Sequence, residues 1–201
     1  MSIVPLVFAL FFFSSLGLEA GQGIPSPATA IANLTAPSKL STLRGERAAN
    51  PRLFKCVFWL QIAKEQGQDP KHVLAEAAKL NGTAETPYAG FIEWGLLENL
   101  RIAESYGVLD SAGMYEMRLG KAPTITKGAF IGQEAEADHV IPRAVCPELR
   151  NQVLNLELLA ASENRAKSDK IGQRQVTFAK ELYDARLLSE EGWKSIQNKK
   201  M

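Results

Sequence analysis

The sequence predicts an α+β fold: a mainly helical N-terminal layer, a short mixed segment of strand, loop, strand and helix, then C-terminal helices. Three observations predict it. Asn50-Pro51, Asp69-Pro70 and Thr86-Pro87 each place a capping residue before a proline suited to a first helical turn. The stretch Pro123-Thr-Ile-Thr-Lys-Gly128 is β-branched and glycine-punctuated, so it breaks the helical pattern. Apolar residues return at helical spacing in Val176, Ala179, Tyr183 and Leu187.

Residues 1–20 read as a secretory signal peptide, because Ile3 to Leu18 carries no charge and Val7 to Phe13 is intensely apolar. No Lys or Arg precedes that run, and a membrane anchor over residues 3–18 is the competing reading. Either one predicts an exported domain, secreted or periplasmic, with no stable membrane association once a signal is cleaved. Residues 21–49 are rich in Ala, Pro, Ser, Thr and Gly and read as a flexible linker.

Residues 50–120 form the helical region. The first helix is expected to run to about Gly67, with Leu53, Phe54, Val57, Phe58 and Ile62 on one face and Cys56, Trp59 and Leu60 widening it. The second is expected to stop near Asn81-Gly82, and the third to reach Gly107 with Phe91, Trp94, Leu97 and Leu100 inside. Aromatic stripes at this spacing are core, and no chemistry is assigned to them. Residues 121–201 form the second unit, closed by helices from Gln173 to Leu188 and from Glu190 to Gln197, the latter carrying Trp193 and Ile196.

Two cysteines, Cys56 and Cys146, suit an oxidising compartment. Bridged, they would close a long loop worth about 4–5 kcal/mol on a chain-entropy argument; unbridged, they are two buried thiols. Neither has a second cysteine at short spacing, so they do not make a zinc site. The formal net charge of +1 lends no support to nucleic-acid binding, which then rests on local clusters.

The informative stretch is residues 136–172. It reads Glu136-Ala-Asp138-His139-Val-Ile-Pro142-Arg143, then Val153-Leu-Asn155-Leu-Glu-Leu-Leu159, then Glu163-Asn164-Arg165-Ala-Lys167-Ser-Asp169-Lys170. A neutral imidazole accepts a proton from water near neutral pH, and carboxylate and amide oxygens suit a hard divalent cation. Four basic residues, Arg165, Lys167, Lys170 and Arg174, against one acidic residue, Asp169, make a local basic cluster, or a solvated helix face.

These three motifs, in order and spaced by sixteen and nine residues (His139 to Asn155 to Asn164), resemble the HNH nuclease family in the variant whose third residue is Asn. The third motif is especially similar to the HNH domain of RNA-guided DNA nucleases. The resemblance implies a ββα-metal core and metal-dependent hydrolysis of DNA phosphodiester bonds. It further implies His139 as general base, Asp138 and Asn164 as ligands of one divalent cation, and Asn155 as the residue fixing the loop that carries His139. Asn in third position points to Mg2+ or Mn2+ rather than zinc. Arg143, Arg165 and Lys167 are expected to contact phosphate, with DNA favoured over RNA as partner. Asn164 could instead cap a helix, and Asn155 a turn. The rival functions are a degenerate HNH fold that binds nucleic acid without cutting, a nuclease acting on RNA, and an extracellular structural protein with a coincidental motif.

Overall fold

The computed structural model describes residues 25–200. The signal-peptide and membrane-anchor readings lie outside them. Among the described residues no helix is long and apolar enough to cross a membrane. Among the described residues the architecture is α+β: nine α-helices around one two-stranded antiparallel sheet.

The first correction concerns the linker. Residues Pro27–Thr35 form helix α1, and Pro37–Leu40 a single turn, α2. Ser26 caps α1 by accepting from the Thr29 backbone N–H, and Pro27 sits in the first turn. Its alanines let the helix lie close on its neighbours, with Ile31 fully buried and Ala28, Ala32 and Thr35 nearly so. The carbonyls left over at its C-terminus are taken up by the Arg52 guanidinium, on Asn33 and Leu34, and by the Tyr88 hydroxyl, on Thr35.

Three longer helices follow where the capping prolines place them: α3 (Asn50–Glu65), α4 (Pro70–Leu80) and α5 (Pro87–Tyr106). A fourth, α6 (Ser111–Leu119), is capped by Asp110 and completes the layer. Helix α5 ends at Gly107, whose φ of 68° is left-handed and where a Cβ would meet Thr126 Oγ1 at 2.5 Å.

The buried face of α5 differs from the expected one. Ile92, Leu96, Asn99, Leu100 and Ala103 point inward; Phe91 and Leu97 are only half-buried and Trp94 is 55% exposed. Apolar residues surround this helix, so tertiary packing chooses the face. In α3, Cys56 and Leu60 are fully buried while Phe58 and Ile62 lie at the margin, for the same reason. Both cysteines are free and buried, so the disulfide reading does not hold. Burial pushes the Cys56 thiol up to about 12 and the Cys146 thiol to about 11.

Residues 121–134 are a loop with one β-bridge, Thr124 to Glu134. Strand β1 (Ala135–His139) then pairs with β2 (Leu156–Ala160), with Asp138 opposite Glu157 and His139 opposite Leu156. A two-stranded ribbon leaves both outer edges unpaired. Asn50 of α3 donates to the Ala137 carbonyl on one edge. Asn99 of α5 accepts from Leu158 N–H and donates to the Leu156 carbonyl on the other. These two side chains stitch the ribbon to the helical layer.

Helix α7 (Ala161–Lys167) leaves β2 directly and covers the ribbon's outer face. Helices α8 (Gln173–Asp184) and α9 (Glu190–Lys200) close the fold. In α8, Phe178, Ala179 and Leu182 are buried, with Val176 and Tyr183 at the edge, a stripe rotated from the one periodicity suggested. Ile196 of α9 is fully buried and Trp193 stacks on Tyr183.

Candidate functional site

Side chains alternate along a strand, so the ribbon has two faces. Ala135, Ala137, His139, Leu156, Leu158 and Ala160 share the core face, and all are buried. Glu136, Asp138, Glu157 and Leu159 share the other. Asp138 and His139, adjacent in sequence, therefore start from opposite faces.

His139 is the last residue of β1 and only 3% exposed. Its Nε2 lies 2.7 Å from the Arg150 carbonyl oxygen. A neutral imidazole facing a carbonyl carries its proton there, which leaves the lone pair on Nδ1. Burial pulls the imidazole below its ordinary pKa, outweighing the Arg150 hydrogen bond and the nearby Asp138 charge, which both act upward. Burial thus favours the neutral imidazole at His139, the form a base requires.

Asn155 is fully buried and grips the loop that follows His139. Its Oδ1 accepts from Ile141 N–H at 2.9 Å, and its Nδ2 donates to the Ile141 carbonyl at 3.0 Å. The backbone adds a third tie, from Val140 N–H to the Asn155 carbonyl at 2.8 Å. This two-way clamp fixes the chain two residues beyond His139. The turn-capping alternative for Asn155 describes the same bonds.

On the outer face, Asp138 and Glu157 stand directly across the ribbon. Like charges in that position repel unless a cation lies between them. Lys167, at the end of α7, supplies one: its Nζ is 2.5 Å from Asp138 Oδ2 and 3.6 Å from Glu157 Oε1, and it also donates to the His139 carbonyl. Arg174 of α8 pairs with Glu157 Oε2 at 2.5 Å. Asn164, one turn before Lys167, donates from Nδ2 to Glu136 Oε2 at 2.6 Å, which leaves its Oδ1 as the atom for a cation. It lies inside α7 and does not cap it.

Of the residues singled out from sequence, Asp138 lies on the outer face with Lys167 over it and Asn164 over neighbouring Glu136, whereas His139 and Asn155 are buried on the core side. Arg143 pairs with Glu46 at 3.0 Å. Arg165 is exposed. Lys167 is turned onto carboxylates, and its side chain is only 13% exposed, so it does not stand open to a phosphate.

Among the described residues no three His, Cys, Asp or Glu side chains converge as a metal cage. Instead there are the Asp138 and Glu157 carboxylates, the His139 carbonyl and the Asn164 amide. Oxygen-only sets with one or two carboxylates suit magnesium, which keeps its remaining positions for water and phosphate. Glu157 Oε1 is buried and makes no hydrogen bond, although the Lys167 ammonium stands 3.6 Å away as its ion-pair partner. A carboxylate oxygen without a hydrogen bond beside Asp138 is one a hard cation could bind.

Sequence reasoning missed Glu136, Glu157, Asn50 and Asn99. Glu136 was within reach, since it lies two residues before Asp138 in a strand and so shares its face. Glu157 needed the cross-strand register. The two asparagines needed the docking of helices on strand edges. No protein-family model, curated protein or solved structure matches the chain.

Proposed function

We propose that the chain is a metal-dependent endonuclease of the HNH type that hydrolyses DNA phosphodiester bonds. The observation that carries this reading is the Asn155 clamp on Ile141. It ties together two motifs, spaced by sixteen residues in sequence, and fixes the chain immediately after His139 at the end of β1. His139 takes a proton from water at Nδ1, while the Arg150 carbonyl holds the Nε2 proton and the ring's tautomer. Asp138, Asn164 and the phosphate hold one Mg2+ or Mn2+ ion, which when bound supplies charge neutralisation on the phosphate and the leaving oxygen. Arg165, exposed on α7 beside Asn164, contacts the nucleic-acid backbone. The ring is only 3% exposed, so this role requires a state in which His139 is more accessible than it is here.

One observation favours a second reading, a nucleic-acid-binding module of the same fold that does not cut. Lys167 already neutralises Asp138, as it would in a site that had lost its metal. Incubating purified protein with supercoiled plasmid and with single-stranded RNA, in Mg2+, in Mn2+ and in chelator, separates the readings. Metal-dependent nicking supports the nuclease, and the substrate cut faster settles DNA against RNA. Retarded but intact plasmid under every metal supports the binding module.

A further inference from the structure

Lysine is among the residues least often buried, and where it is buried it is paired. Lys167 is held by three oxygens from two strands: Asp138 Oδ2, Glu157 Oε1 and the His139 carbonyl. The partners do not fit it equally. Asp138 is in close contact, whereas Glu157 Oε1 stands 3.6 Å away and has no hydrogen bond, although the side chain is only 6% exposed. The Lys167 ammonium reaches this oxygen as an ion pair but makes no hydrogen bond to it. A hard divalent ion draws oxygens in to about 2.0–2.6 Å and tolerates several at once. Charge leads to the same place. Asp138 and Glu157 are balanced by Lys167 and Arg174, so a divalent ion entering beside Lys167 would overfill the site with positive charge.

We propose that Lys167 and the divalent cation compete for one oxygen cage, and that Glu157 is a further ligand of the ion once Lys167 has left. The proposal rests on the nuclease reading for the presence of the ion, and goes beyond it in naming a built-in competitor and a further ligand. Lys167 is a gate on metal loading. Together with Arg174 it balances the charge of two facing carboxylates in the metal-free protein, and it lowers the affinity of the cage for its ion. Ser168, with φ of 50°, ends α7 immediately after Lys167.

The test is Mn2+ binding to the full chain, read by calorimetry and by the loss of the free-ion electron paramagnetic resonance signal. Wild type is compared with Lys167→Met, and Lys167→Met with the double variant Lys167→Met/Glu157→Gln. Lys167→Gln serves in its place if the Met variant does not keep the wild-type circular dichroism spectrum. The expected result is affinity raised by about tenfold or more when Lys167 is neutral, and lowered by about tenfold or more when Glu157→Gln is added. Equal Mn2+ affinity in wild type and Lys167→Met overturns the gate and leaves the nuclease reading intact. Unchanged affinity on adding Glu157→Gln overturns the ligand assignment. No binding by any folded variant overturns both this inference and the metal-dependent reading beneath it.

Discussion

The two faces of the β1–β2 ribbon are built from the same ten residues and do opposite things. The core face is Ala, Leu and one histidine, closed by α3 and α5. The outer face carries Glu136, Asp138 and Glu157 and is covered by one short, partly charged helix, α7. Apolar burial holds the first face in place, at about 25 cal/mol per Å2 of surface removed from water. The second is held by charge pairing that needs cations. The difference shows how a two-stranded ribbon, too small to be stable alone, can carry a polar site. Its core face and its two stitched edges secure it, which leaves the outer face free to carry charge.

Substitutions can break this contrast, and the largest effect belongs to the core face. Leu158 is fully buried, so Leu158→Ala is expected to cost about 2–5 kcal/mol in urea denaturation. A cost below 1 kcal/mol would mean the ribbon is not anchored there. Asn155→Ala strands the buried Ile141 N–H and C=O, and is expected to cost about 2–4 kcal/mol. Ile31→Ala is expected to cost about 2–4 kcal/mol, because α1 is part of the core; a neutral effect would restore the flexible-linker reading. On the outer face, Asp138→Asn removes a partly exposed carboxylate and is expected to change stability by less than about 1 kcal/mol. The smallest effect concerns the cysteines. Reducing agent should leave the melting temperature unchanged, with neither thiol reacting with a disulfide reagent until the protein is denatured.

The same contrast explains what the sequence made legible. The starts of α3, α4 and α5 are legible because a first-turn proline acts locally; of the expected capping residues only Asp69 caps through its side chain, since Asn50 lies inside α3 and Thr86 makes no cap bond. Ser26-Pro27 carries the same signal, but the surrounding Ala, Pro and Gly composition outweighed it, and α1 was read as linker. Helix faces were less legible. With Phe91, Ile92, Trp94, Leu96 and Leu97 all apolar, periodicity alone cannot say that Ile92 and Leu96 go inward and Trp94 outward. At the site, the order and spacing of Asp138, His139, Asn155 and Asn164 are properties of the chain and were readable. The engagement of Lys167 with Asp138 and Glu157 is not, because it depends on the register of two strands and on where α7 ends.

The proposed role of His139 is that of base in a metal-dependent nuclease. It is tested by plasmid cleavage in Mg2+ by wild type and His139→Ala, with circular dichroism spectra and Mn2+ affinity measured on both. Cleavage is expected to be slowed by about 10²–10⁴-fold in the variant, with fold and metal affinity retained. Cleavage at the wild-type rate by His139→Ala would contradict it.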